Sequence, residues 1–199
     1  KRKFEAGLAA FEDSDEVRVT YHSFELAPDT PVDFEGNEVD FLASHKGMDP
    51  EQVRQMLQQV TAVAKDVGLD YDFDALQHTK TLLAHQALHF AKAHGQQHEL
   101  VERLFAAYFE QGRHVGRAED LADLGAEVGL DRRELLTALE QGTYAQDVEA
   151  DLAQARAYGI QGVPFFVLDG RYGISGAQSP EVFTQALQQV RSERAGVTP

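Results

Sequence analysis

The chain has 199 residues, 43% hydrophobic and 26% charged, with a formal net charge of −15. That length holds a real core in one domain or two closely packed ones, and so acidic a balance argues against a nucleic-acid backbone as partner. No apolar run approaches the roughly 20 residues of a bilayer span, and a chain without cysteine can neither form a disulfide nor present a thiol.

Lys1 opens directly onto Phe4, Leu8 and Phe11, whose spacing predicts a helix over about residues 1–12. No capping residue or initiator methionine precedes it, so residues are expected upstream of Lys1. Asp13-Ser14-Asp15 breaks that helix. From Glu16 to Phe24, Val17, Val19 and Tyr21 alternate with Arg18, Thr20 and His22, a strand pattern. Residues 27–48 read as a polar connection punctuated by Pro28, Pro31, Gly36 and Gly47, with a short helix near residues 39–45.

Six helices are predicted next. Asp49-Pro50-Glu51 opens the first, which carries Val53, Met56, Leu57, Val60, Val63 and Val67 and ends at Gly68. Thr79 is the expected cap of the second, which ends at Gly95. Leu100, Val101, Leu104, Phe105, Tyr108 and Phe109 form the third, and Leu121, Leu124 and Val128 the fourth. Asp131 with Glu134 resembles a capping box for the fifth, and Val148, Leu152 and Ala155 mark a sixth that ends at Gly159. Glycine recurs at these ends because helices commonly exit through a left-handed residue.

The stretch from Gly159 to Leu168 is a loop closing on Pro164, followed at once by Phe165-Phe166-Val167-Leu168, a strand. Asp169-Gly170-Arg171 is a turn and residues 172–176 a return strand. Ser179-Pro180-Glu181 opens a last helix that lays Phe183, Ala186, Leu187 and Val190 on the sheet, with a frayed tail expected after Ala195.

Loop, proline, strand, turn, strand, helix, with G-I-Q-G-V-P-F-F at residues 159–166 and Gly176, resembles the second half of a thioredoxin-like fold. The resemblance is to the DsbA family, in particular its FrnE-like branch and the related 2-hydroxychromene-2-carboxylate isomerases. Residues 21–26, ending in F-E-L, resemble the close of the second strand in that branch. The resemblance implies an α/β thioredoxin-like fold built from residues 1–45 and 158–199, around an all-helical insertion at 46–157. The first strand and the redox C-x-x-C are then expected before Lys1.

In that family the proline of the loop is cis, so the resemblance makes Pro164 the cis-proline and Gly162, Val163 and Pro164 the residues that position substrate. Local sequence alone reads Val163-Pro164 as the start of a strand. Ala84-His85 matches an A-H pair on the family's helical insert, which implies His85 at the substrate cleft; solvated surface is the alternative. The implied activity is dithiol–disulfide exchange on a protein or small-molecule thiol or disulfide. A glutathione-dependent isomerase or kappa-type transferase, with glutathione as co-substrate, is the alternative, and a redox-inactive peptide-binding module a third. The missing thiols fit an upstream motif, a serine in its place, or a redox-dead relative. No resident cofactor, nucleic acid or membrane is expected, the cytoplasm is the expected compartment, and oligomeric state stays open.

Other patterns read more blandly. His85 and His89, like His94 and His98, are four apart and can share a helix face. Gly95 interrupts the second pair and no cysteine is available, so they read as polar helix-surface residues rather than metal ligands. Neighbours on a strand point to opposite faces, so His22 and Ser23 are not expected to act as a nucleophilic pair. Phe105, Tyr108 and Phe109 read as core, and Glu119-Asp120 as a first-turn charge preference.

Overall fold

The computed structural model describes residues 1–196 of the protein. Its elements are α1 (Arg2–Ala9), α2 (Glu38–Lys46), α3 (Pro50–Lys65), α4 (Leu82–Ala93), α5 (Gln97–Phe109), α6 (Ala118–Glu127), α7 (Arg132–Glu140), α8 (Ala145–Ala157), β1 (Phe165–Leu168), β2 (Tyr172–Ser175) and α9 (Pro180–Gly196). The chain divides into two compact units, residues 1–20 with 155–199 and residues 21–154. Residues 21–45 thus cluster with the helices that follow them. Of the tail expected to fray, Gly196 still belongs to α9, and residues 197–199 lie outside the described residues.

In the first unit, β1 and β2 form an antiparallel hairpin with Phe165 opposite Ser175 and Leu168 opposite Tyr172. Asp169 and Gly170 both take positive φ, 55° and 66°, the pair of left-handed residues that primed hairpin turns demand. Phe166 on β1 sits 5.2 Å from the Phe4 ring of α1 and 4.7 Å from the Phe183 ring of α9. Phe183 is 1% exposed and is the centre of this small core. Gly7 lets α1 lie directly on α9. A Cβ there would stand 2.8 Å from Phe183 Cβ and nearer still to the Pro180 carbonyl oxygen. Thr184 Oγ1 closes the contact by donating to the Gly7 carbonyl at 2.7 Å.

The strand expected over residues 16–24 does not form. Ser14–Glu16 is a 3₁₀ turn, residues 17–25 carry no strand assignment, and the sheet of the described residues holds β1 and β2 alone. The physical reason is a substitution of partners. Tyr21 N–H donates to Gln97 Oε1 at 3.2 Å, and Gln97 Nε2 donates to the Tyr21 carbonyl at 2.9 Å. A primary amide carries the same donor and acceptor as a neighbouring strand. Ser23 N–H donates likewise to Asp151 Oδ2 at 2.7 Å. At Tyr21 and Ser23 the alternation marks extended chain whose backbone is bonded by side chains.

The helical unit is built on α4 to α7, where Ala87, Leu100, Leu121, Leu124 and Leu135 are fully buried. Two of its helices, α3 and α7, start as the sequence indicates. Asp49 accepts the Glu51 N–H ahead of Pro50, and Asn37 and Asp40 form a reciprocal capping box on α2. Asp131 caps α7 by accepting the Glu134 N–H at 2.9 Å.

Two expectations fail here. Phe105 is 46% exposed, because the buried face of α5 runs through Leu100, Val101, Leu104 and Ala107. Thr79 does not cap α4, whose N-cap is Thr81. Its hydroxyl instead donates to the Val32 carbonyl at 2.6 Å. His114 Nε2 donates to the same carbonyl at 3.1 Å, and Lys80 N–H reaches the Pro31 carbonyl at 3.1 Å. Arg117 Nε holds Asp33 Oδ1 at 3.0 Å. Gly116 leaves room for this knot, since a Cβ there would collide with Thr79 Oγ1. No helix of the described residues is long and apolar enough to cross a membrane.

Candidate functional site

Gly159 ends α8 with φ 69°, and the chain then runs through residues 160–164 into β1. The Val163–Pro164 peptide bond is cis. The Pro164 carbonyl accepts the Gly176 N–H at 2.9 Å, which ties the loop to the end of β2. Residues 159–165 with Ser175 and Gly176 line an open groove of about 390 Å³. Gly162, Val163 and Pro164, the residues expected to position substrate, lie together along it.

Val163 is the most telling of the three. It is 46% exposed, and neither its N–H nor its C=O is hydrogen-bonded within the described residues. Pro164 beside it has no N–H to offer. One free donor and one free acceptor next to an apolar strand suit an extended chain laid alongside, in the manner of strand addition. No lining residue carries an acid, a base or a thiol. The lining side chains thus supply no acid, base or nucleophilic sulfur for bond chemistry. A second open depression, of about 310 Å³, lies along α7 and brings no buried titratable group to its wall.

His85 belongs to the helical unit and sits in a cluster the sequence did not disclose. Asp151 on α8 is its hub. His22 Nδ1 meets Asp151 Oδ1 at 2.6 Å, and His89 Nε2 meets Oδ2 at 3.0 Å. Oδ2 also accepts the Ser23 N–H. An ionised carboxylate only accepts, so both ring nitrogens facing it carry protons. Burial pushes the Asp151 carboxyl up; the hydrogen bonds from His22 and Ser23 and the charge of His22 and His89 outweigh it and hold the carboxyl below its usual range.

His89 is 7% exposed, which corrects its reading as a surface residue. Its neighbour one turn away, His85, buries Nδ1 without a hydrogen-bond partner. Burial, aided by His89 and opposed by Asp151, lowers the His85 pKa from 6.5 to about 4, so this imidazole is neutral at pH 7.

Ser23 Oγ lies 3.3 Å from His89 Nε2, the same atom that faces Asp151. A triad needs one ring nitrogen for the serine and the other for the carboxylate. This arrangement is therefore a structural hydrogen-bond cluster and not a nucleophile with its base. Among the described residues no group of three or more His, Cys, Asp or Glu side chains is placed to hold a metal ion. Asp151 escaped sequence reasoning because it lies 62 residues beyond His89 on a helix with no motif of its own. The four-residue spacing of His85 and His89 was the available signal, and it carried no information about burial.

The model of the DSBA-like thioredoxin domain family matches residues 2–188. A crystal structure of SCO1869 from Streptomyces coelicolor, described as a "probable DsbA oxidoreductase", is 39% identical with a TM-score of 0.90, covering 100% of this chain and 84% of that one. The uncharacterized protein YwbO of Bacillus subtilis (strain 168) is 31% identical over 195 residues, 94% of this chain and 91% of its own. A Nitrosomonas europaea structure, 15% identical with a TM-score of 0.59 over 74% of this chain and 76% of that one, shares the fold alone. The hairpin, the helix α9 behind it and the large helical unit are thus a thioredoxin-like α/β fold with a helical insertion, and the chain belongs to the family of DsbA-like thioredoxin domains.

Proposed function

We propose that this protein is a dithiol–disulfide oxidoreductase of the FrnE-like branch, in which Gly162, Val163 and Pro164 position the substrate chain. The observation that carries the reading is the free N–H and C=O of Val163 beside an apolar strand, in a chain 39% identical to a structure described as a "probable DsbA oxidoreductase". The match of residues 159–166 and Gly176 to the FrnE-like loop supports the branch. In such exchange a thiolate attacks one sulfur of a disulfide, and the mixed disulfide is resolved by a second thiol. Residues 1–199 contain no cysteine, so every thiol of the reaction comes from outside them. In this proposal it comes from a C-x-x-C of the full-length protein. This chain's part is to hold the substrate extended, with the Val163 N–H and C=O paired to its backbone.

Insulin reduction by the full-length protein is the test. Turnover that depends on a thiol of that protein is the expected result. No turnover, together with retained glutathione binding, overturns the proposal in favour of the glutathione-dependent isomerase or transferase reading. Loss of both leaves a peptide-binding module and overturns it equally.

A further inference from the structure

The Asp151 cluster joins the two ends of one unit. Tyr21 is the first residue of the helical unit and Gln154 its last. Segment 21–24 has no strand beside it among the described residues, and side chains of α4, α5 and α8 bond it at Tyr21 and Ser23. Two of its three consecutive anchor residues, His22 and Ser23, bond the same carboxylate.

We propose that Asp151 is an acid-released latch: its carboxylate holds His22 and Ser23 on the helical unit, and protonating it frees them while α4 and α5 stay folded.

The chemistry is that of one acceptor facing several donors. His22 Nδ1, the Ser23 N–H and His89 Nε2 all point at the two oxygens of Asp151. A protonated carboxyl turns one of its oxygens into a donor and brings it against a donor already there. Imidazoles face this carboxylate from three elements. His22 comes from the segment itself, His85 and His89 from α4, and His98 on α5 lies against the Tyr21 ring at 5.2 Å. On α8 itself, Asp147 and Glu149 are the nearby acids, and Glu25 follows the segment. A single negative centre ringed by donors becomes a neutral acid facing the same donors, so the charge attraction that held the segment is lost.

The Tyr21–Gln97 pair does not titrate, so acid acts on the anchors at His22 and Ser23 and spares that one. The apolar core of the unit, Leu100, Leu121, Leu124 and Leu135, contains nothing that acid alters.

Amide hydrogen exchange on the full-length protein, corrected for the intrinsic pH dependence, reads the latch. On acidification the Ser23 amide should lose protection at a pH where α4 and α5 amides keep theirs. Asp151→Asn should lower Ser23 protection at neutral pH by roughly tenfold or more, the scale of a charged hydrogen bond, and leave it flat with pH. His22→Gln, at a side chain 59% exposed, is the variant whose folding is safe. It removes a partner of the ionised form, so release should move to higher pH. The proposal is overturned if His22→Gln releases at the wild-type pH. It is equally overturned if Ser23 loses protection only together with α4 and α5, or if a folded Asp151→Asn protein protects Ser23 as well as wild type.

Discussion

Replacing Gly7 with alanine tests the packing that sets the hairpin in place. The added methyl would stand 2.8 Å from Phe183 Cβ and closer to the Pro180 carbonyl oxygen. Pro180 O is backbone in the first turn of α9, so it cannot swing away as a side-chain tip could. Such overpacking costs about 1–3 kcal/mol. Alanine gains roughly 1 kcal/mol over glycine in a helix interior, which offsets part of it. Because the obstructing atoms are a carbonyl and a Cβ, the upper part of the overpacking range applies and the net loss is about 1–2 kcal/mol. For a chain of this size that lowers the midpoint of thermal unfolding by roughly 2–8 °C. Urea unfolding followed by circular dichroism measures it, with Gly162→Ala as the control. A Cβ at Gly162 meets nothing within 4 Å, so the control should hold or gain stability. A Gly7→Ala protein as stable as wild type would show that α1 and α9 are not in the close contact described.

Phe183→Ala removes the most buried ring of the hairpin unit and should cost about 3–5 kcal/mol in the same urea experiment; a loss under about 1 kcal/mol would contradict the Phe4–Phe166–Phe183 core. Val163→Asp alters an exposed side chain and should leave stability within about 0.5 kcal/mol, yet slow insulin reduction by the full-length protein, and unchanged turnover would count against the loop as the substrate's dock. His85 should titrate near pH 4 by NMR. Its folded pKa lies below the unfolded 6.5, so the unfolded chain binds the extra proton. The stabilisation is complete above pH 6.5 and is lost as the pH falls toward 4. A midpoint of 6.5 in the folded protein would refute the burial of that ring.

What the sequence disclosed and what it hid follow from the range of the interactions involved. Caps and helix exits are local, so Asp49 and Asp131 at one end and Gly68 and Gly159 at the other marked their helices correctly. The hairpin turn was legible for the same reason, since Asp169-Gly170 needs only its own dihedrals. Residues 16–24 misled because alternation reports extended backbone and not the identity of its partner, and at Tyr21 and Ser23 that partner is a side chain, Gln97 or Asp151. Phe105 misled because it lies beside the buried stripe of α5 and not within it. The Asp151 cluster was invisible because its members come from residues 22, 23, 89 and 151, and no local pattern links them. The groove at Val163 sat between these cases. Its motif was readable as a resemblance, whereas the free N–H and C=O of Val163 are a property of the folded loop.

The knot at Val32 has a consequence for how this chain can vary. A carbonyl gripped by Thr79 and His114, with Asp33 gripped by Arg117 beside it, divides the stretch between Glu25 and Asn37 into two short spans with a shared fixed post. Lengthening one span leaves the ends of the other where they were, and the entropic cost of extra residues in a closed loop grows only slowly. Insertions and deletions among relatives are therefore expected to collect at residues 26–29 or 34–36 and to spare 31–33, so that a stretch of unremarkable composition hides three positions as intolerant as any in a core.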